Sequence, residues 1–172
     1  MPELDKKDNF NPLNAIKLFG LKKYLFDFIN LFKTKKLPKV ILLTGEKGIG
    51  KFTLSFHLIN YIFSLNSENK YDYENQTINK ENFFYKAILS NICENFLYIS
   101  NERIKRTSIE DIRSIKKKFN TSSLNNMPRF TILDDFELLN RRDSRENLLQ
   151  HLQLILHPSI PQRNGLPSFL SI

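Results

Sequence analysis

The chain has almost none of the cysteine that cross-links small folds and builds zinc clusters. Its 172 residues include a single cysteine, Cys93. One cysteine excludes an internal disulfide and a zinc cluster built from cysteines, so we expect no zinc site and a small buried side chain at this position. No apolar run reaches the roughly 18 residues that a membrane-spanning helix needs, and the first residues lack the pattern of a signal peptide. We therefore expect a cytoplasmic protein with no membrane partner.

Size and charge set further bounds. An apolar content of 41% in 172 residues suits one globular domain, and a second full domain would not fit. The net charge of +8 is compatible with a nucleic-acid partner. Lysine, asparagine, isoleucine and phenylalanine are abundant together, as an AT-rich coding sequence would produce. Lysine runs such as 116–118 therefore suit solvated faces better than DNA sites.

Glycine is also scarce, and its distribution is the most informative feature of the chain. Of five glycines, three lie within the six residues 45–50. A β-favouring run, 40–43, precedes them, and the helical pattern 51–63 follows. Glycines between a strand and a helix allow backbone N–H groups to converge on a phosphate at the helix N-terminus. The pattern predicts a P-loop that binds ATP or ADP, formed by Gly45, Glu46, Lys47, Gly48, Ile49, Gly50, Lys51, Phe52 and Thr53.

The position after the P-loop lysine departs from the usual pattern. Gly45, Gly50 and Lys51 satisfy G-x-x-x-x-G-K, but Phe52 stands where a serine or threonine hydroxyl would hold Mg²⁺. Thr53 lies about 100° further round the helix. The sequence predicts nucleotide binding more firmly than hydrolysis, with Phe52 packed in the core. A glycine-rich turn without a ligand is the alternative.

The order of the remaining segments predicts an α/β fold. Leu21, Leu25, Phe28, Ile29 and Phe32 recur at helical spacing, and Leu37-Pro38 ends that helix. We predict a loop of low order over 64–80, a short helix over 81–93 and a buried strand over 95–100. A capped helix over 107–119 and a β-rich run over 129–135 follow. This order predicts a three-layer parallel sheet with helices on both faces. His57, without a second histidine or cysteine nearby, suits a packed position.

Two carboxylates end the last of these runs. Asp134 and Asp135 would lie at the carboxyl edge of the sheet, where the P-loop also lies. Asp134 would hold Mg²⁺ through water. Asp135 stands where many P-loop ATPases carry a glutamate that orients the attacking water. Because its side chain is one methylene shorter, its carboxylate would be drawn back by about one C–C bond, and a displacement of that size can lower the rate about 10²-fold. Both are therefore weak catalytic candidates, and an acidic turn is the alternative.

In this order, the segments resemble the AAA+ ATPases, and among them the bacterial clamp-loader subunits of the delta-prime type of DNA polymerase III. The matching segments are Leu18-Phe19-Gly20, Leu37-Pro38, Gly48-Ile49-Gly50-Lys51-Phe52-Thr53, Ile109-Glu110-Asp111-Ile112-Arg113, Phe130-Thr131-Ile132-Leu133-Asp134-Asp135 and Leu139-Asn140. The likeness covers residues 12–140. Many family members carry four zinc-binding cysteines between the P-loop helix and the next strand, where this chain has only Cys93.

The tail differs in composition from the rest. Residues 141–172 contain no lysine, although the preceding 140 residues contain 18. We divide the chain into a nucleotide-binding part, 1–140, and an atypical tail, 141–172, that is frame-disturbed or poorly ordered. The sequence given contains no recognisable sensor strand, arginine-finger segment or helical lid, which the resemblance leads one to expect.

The resemblance implies a role in the DNA polymerase III holoenzyme, with weak or absent ATPase activity of its own. It implies other clamp-loader subunits as partners, the sliding clamp indirectly, and primer-template DNA through the complex. The alternatives are an active P-loop ATPase that uses Lys51, Asp134 and Asp135, and a small-molecule kinase, for which the sequence shows no substrate signature.

Overall fold

In the part of the chain that the computed structural model describes, helices pack against a five-stranded sheet. The structure describes residues 12–99 and 127–134, together with the backbone of 150–157 and 168–171. The strands are β1 (Val40–Gly45), β2 (Phe96–Ile99), β3 (Arg129–Asp134), β4 (Gln150–His157) and β5 (Ser168–Ser171). The helices are α1 (Lys22–Lys33), α2 (Lys51–Ser64) and α3 (Phe83–Leu89). The strand order across the sheet is β2-β3-β4-β1-β5.

Helix α1 forms where the apolar spacing predicts it. Leu25, Phe28 and Ile29 are its buried residues, and Leu21 just before it is also buried. Residues three or four apart share one face of a helix, so these side chains form the stripe that faces the core. Lys35 ends the turn after the helix with a positive φ of 56°. The chain then enters β1, whose alternate residues Ile41 and Leu43 are buried.

Helix α2 runs through the centre of the molecule. Every residue in it except Thr53 is buried. The ring of Phe63 packs edge-on against Phe130 of β3 at 5.5 Å, and that of Phe56 lies 5.9 Å from Phe96 of β2. The two apolar faces of this helix predict cover by more than the sheet, and its burial confirms that prediction.

The segment between α2 and α3 has more structure than its asparagine-rich sequence indicates. We expected a loop of low order over 64–80: the segment after α2 is a loop without helix or strand, but the expectation of low order is wrong. Tyr71 and Ile78 are buried, and Asp72 and Thr77 exchange backbone hydrogen bonds of 2.9 and 3.0 Å. Asn82 caps α3 by accepting hydrogen bonds from the backbone N–H groups of Phe84 and Tyr85. Side-chain amides here satisfy the backbone of a segment without helix or strand.

The sheet is mixed, which corrects the expectation of a purely parallel one. Strands β2 and β3 are parallel, as predicted, and β1 is parallel to β5. Strand β4 lies antiparallel between β1 and β3 and pairs with six residues of each. Residues 150–157 can take this place because their alternating leucines suit a strand, and an antiparallel strand forms a complete ladder with both neighbours. Thus, one described part of the tail occupies the centre of the sheet.

Several expectations fall on residues outside the described ranges. These are the capped helix over 107–119, which would cover the second face of the sheet, the carboxylate Asp135, and the segments 141–149 and 158–167. The described part is a mixed α/β fold that contains parallel strand pairs. The three-layer arrangement and the division at residue 140 stay predictions.

Candidate nucleotide site

The glycine-rich loop connects the carboxyl end of β1 to the first turn of α2. Its residues Glu46 to Ile49 are exposed, whereas Gly45 and Lys51 on either side are buried. Gly48 and Gly50 have φ values of 84° and 96°, in the left-handed region that side-chain-bearing residues avoid. Glycine at these positions allows the loop to turn tightly while its backbone stays open to solvent.

Lys51 folds back across this loop. Its Nζ donates hydrogen bonds to the carbonyl oxygens of Gly45 and Glu46, both at 2.8 Å, and the side chain is only 7% exposed. An ammonium group has three donors and no acceptor. The contacts hold a positive charge within the curve of the loop, where the sequence predicts a phosphate.

The N-terminus of α2 adds further donors. The N–H of Leu54 donates to the carbonyl of Gly50 at 2.8 Å, which closes the first turn. The first turn of an α-helix directs its backbone N–H groups outward from the helix end, and the helix dipole favours an anion there. The loop backbone, the helix end and Lys51 together form an arrangement that suits a phosphate group.

Phe52 occupies the position after Lys51 and points into the core, as the sequence predicts. It is 8% exposed, and its ring stacks on Phe56 with a centroid distance of 5.7 Å. On another side it contacts the ring of Tyr98 at 4.6 Å. Thr53, the nearest hydroxyl along the helix, is half-buried.

Asp134 ends β3, at the same edge of the sheet as the loop. Strands β1 and β3 are both antiparallel to β4, so they run in the same direction, with their backbones about 10 Å apart. The hydroxyl of Tyr98 donates to Oδ2 of Asp134 at 3.3 Å. Tyr98 pairs in register with Ile132, and Asp134 is two residues further along β3, hence on the same face.

The structure therefore brings the loop and Asp134 to one edge of the sheet, as predicted, and adds Tyr98 between Phe52 and Asp134. Sequence reasoning missed Tyr98. The strand that carries it was predicted, but its role depends on the register between β2 and β3, which the sequence does not fix. The roles of the loop residues, Asp134 and Asp135 toward a nucleotide stay predictions.

His57, in the middle of α2, takes no part in this edge. It is fully buried, with Nδ1 2.8 Å from the hydroxyl of Tyr71 and Nε2 2.9 Å from the carbonyl of Ala15. Burial lowers the pKa of His57 to about 4, while the hydrogen bond to Ala15 acts in the opposite direction. This packed environment agrees with the structural role that we predicted for it.

The rest of the described chain offers no obvious metal centre. Within the described ranges, no three His, Cys, Asp or Glu residues are grouped so that they could hold a metal ion. Cys93 is half-buried against the core, and burial raises the pKa of its thiol. Among the described helices, none is both long and apolar enough to span a membrane.

Comparison with known families identifies the chain. Residues 20–153 match the family described as DNA polymerase III, delta subunit, and this range includes α1, the loop, α2, α3, β2 and β3. Neither the curated proteins nor the solved structures gave a match. The match covers well over half of the chain and confirms the family to which the sequence motifs pointed. The chain belongs to the DNA polymerase III delta subunit family.

Proposed function

We propose that this chain is a delta-prime-like clamp-loader subunit that binds ATP or ADP at residues 45–53 and hydrolyses it little or not at all. Family membership implies the clamp-loader role. The delta-prime assignment rests on the motifs of the sequence, above all the non-hydroxyl residue after the P-loop lysine. Nucleotide binding rests on the geometry of the loop.

The observation that carries the proposal is the position of Lys51. Its ammonium group lies over the loop, 2.8 Å from two carbonyl oxygens. A phosphate oxygen that enters the loop offers this ammonium group a charged acceptor, and charge-assisted hydrogen bonds are stronger than those to neutral carbonyls. The exposed loop residues leave a path for the phosphate to enter.

Weak turnover is proposed from Phe52. Hydrolysis by a P-loop protein needs a well-placed metal ion and an oriented water. A buried aromatic ring supplies no metal ligand, and Asp134 already accepts a hydrogen bond from Tyr98. An active ATPase that uses Lys51, Asp134 and Asp135 is therefore the less favoured function.

The proposed partners follow from the family. In such an assembly the chain would support neighbouring motor subunits in the cytoplasm, act on the sliding clamp indirectly, and meet primer-template DNA through the complex. The net charge of +8 is compatible with contact to nucleic acid.

Binding of ADP to the full chain, followed by calorimetry, tests the nucleotide site. We expect Lys51→Ala to weaken ADP binding about tenfold or more, because a charge-assisted hydrogen bond contributes about 1.5–3 kcal/mol. Lys23→Ala is the matched control, since it removes an exposed lysine of α1 and should leave affinity unchanged. Equal affinity of both variants and the native chain would contradict the proposed site.

Two further measurements test the other parts of the proposal, weak ATP turnover and assembly with clamp-loader subunits. ATP turnover by the full chain should stay near background, and motor-like rates that Lys51→Ala abolishes would support the active ATPase instead. Mixing the chain with the other clamp-loader subunits of its own organism should give a stable complex in size-exclusion chromatography. A chain that elutes alone at micromolar concentration would contradict the assembly role.

A further inference from the structure

A P-loop that binds a magnesium nucleotide needs oxygen ligands close to the loop lysine. The hydroxyl after that lysine contacts the metal, and a carboxylate from a neighbouring strand holds one of its waters. Mg²⁺ requires nearly octahedral oxygen coordination at about 2.0–2.1 Å and retains several water molecules.

The first position does not fit. Phe52 lies where the hydroxyl should be, and its ring is packed between Phe56 and Tyr98 at centroid distances of 5.7 and 4.6 Å. Its exposed fraction is only 8%, so the ring is held in the core. Aromatic carbon offers no ligand, and an apolar surface at this point disfavours the waters that Mg²⁺ keeps.

The second position is altered as well. The Tyr98 hydroxyl donates to Oδ2 of Asp134 at 3.3 Å, and the same tyrosine ring contacts Phe52. Tyr98 therefore contacts both residues, Phe52 and Asp134, that stand where a P-loop protein has its metal-binding groups. A phenol hydroxyl at the carboxylate takes up space and a lone pair that a metal-bound water would use.

The groups that would bind the phosphate, in contrast, keep the features of a P-loop. Lys51 and the N-terminus of α2 provide positive charge independently of any metal. We infer that the site takes its nucleotide as the metal-free anion, and that Phe52 and Tyr98 together exclude Mg²⁺. This inference rests on the proposed nucleotide binding and specifies which form of the ligand the site accepts.

The test compares binding of ADP and of ATP to the native full-length chain in excess EDTA and in excess Mg²⁺. Since Mg²⁺ converts free nucleotide into its metal complex, we expect the apparent affinity to be several-fold weaker with Mg²⁺ than with EDTA. Tighter binding with Mg²⁺ overturns the inference while leaving the proposed nucleotide binding intact. Absence of binding under both conditions overturns the proposed function itself, so the two failures are distinguishable.

Substitutions test whether Phe52 and Tyr98 are the residues that exclude Mg²⁺. The double substitution Phe52→Thr with Tyr98→Phe restores a hydroxyl at the first position and releases Asp134 at the second. We expect Mg²⁺ to strengthen nucleotide binding by this variant, or at least to stop weakening it. Tyr85→Phe is the matched control, because it removes a tyrosine hydroxyl that donates to the carbonyl of Leu13.

A second readout uses Mn²⁺ as the metal probe. Electron paramagnetic resonance should show no protein-bound Mn²⁺ when native chain and ADP are mixed, and a bound signal for the double variant. Tyr98→Phe alone keeps the ring and leaves Phe52 in place, so it should still exclude the metal if the double variant fails to fold. A bound Mn²⁺ signal in the native chain, or in Tyr98→Phe alone, contradicts the joint exclusion.

Discussion

The hydroxyl of Tyr71 donates a hydrogen bond to Nδ1 of His57 in the core, with 2.8 Å between the two atoms. The two rings meet edge-on, at an interplanar angle of 90°. Nε2 of the same histidine lies 2.9 Å from the carbonyl of Ala15. Burial lowers the pKa of His57 to about 4, so the ring is neutral at pH 7. Because a carbonyl only accepts, Nε2 carries the single hydrogen and Nδ1 is the acceptor. His57 thus joins α2 to the segments on either side of it in sequence.

Acid should destabilise the fold through this histidine. Its folded pKa of about 4 lies below the ordinary 6.5, so the unfolded chain binds the proton more readily. The stabilisation that the neutral His57 provides is complete above pH 6.5, falls as the pH drops from 6.5 to 4, and is lost below that range. We predict that the free energy of unfolding decreases by roughly 3 kcal/mol over this range. Urea unfolding at several pH values measures it.

A variant without a titratable side chain at position 57 provides the control. His57→Gln should be less stable at pH 7, yet its stability should change much less between pH 6.5 and 4.5. The exposed carboxylates of Asp72 and Glu81 also have lowered pKa values, through hydrogen bonds to Asn75 and Lys86 respectively. Their contributions are lost at lower pH, as those carboxylates protonate. Equal pH slopes for the native chain and His57→Gln would contradict the assignment.

The Tyr71 hydroxyl should be needed for stability at neutral pH. Tyr71→Phe keeps the ring but leaves the buried Nδ1 of His57 without its donor, which should cost about 1–2 kcal/mol of the free energy of unfolding. Tyr85→Phe should cost less, because that hydroxyl is 3.4 Å from its acceptor. Urea denaturation of both variants measures the difference. Equal decreases in the free energy of unfolding would contradict the prediction that the Tyr71 hydroxyl stabilises the fold more than that of Tyr85.

Two glycines of the loop should differ in their tolerance of a side chain. Gly48→Ala forces a left-handed backbone on alanine, at about 1 kcal/mol, but its Cβ would meet nothing within 4 Å. Gly50→Ala carries a similar strain, and its Cβ would lie 3.2 Å from Cδ1 of Leu21. We expect it to cost about 1 kcal/mol more. Thermal unfolding of the pair tests this order, and a larger loss for Gly48→Ala would contradict it.

The sequence predicts the local elements of the described chain well. Helix α1 follows from the spacing of Leu25, Phe28 and Ile29, and the glycine-rich turn between β1 and α2 follows from three clustered glycines. These signals lie within short segments, where side-chain period and backbone freedom determine the structure. The order at residues 64–80 was missed because its basis is individual hydrogen bonds between Asx or Ser side chains and backbone groups, which have no period.

Long-range features were harder to predict. The contact between Tyr98 and Asp134 depends on strand register, and the place of β4 depends on pairing between segments more than 100 residues apart in sequence. Composition argued against an ordered tail, since residues 141–172 lack lysine. Composition reports what a segment tends to expose, whereas the pairing of β4 depends on backbone ladders with β1 and β3.

Hydrogen exchange measures whether the tail is part of the fold. Strand β4 has a partner on each side, so backbone amides over 152–155 should exchange about as slowly as those over 41–43 in β1. The exposed loop 46–49 provides a fast-exchanging reference in the same molecule. If 152–155 exchange as fast as that loop, β4 does not occupy the centre of the sheet, and the tail is the least ordered part, as its composition indicated. Slow exchange in a monodisperse sample would instead establish 150–157 as the strand that joins β1 to β3.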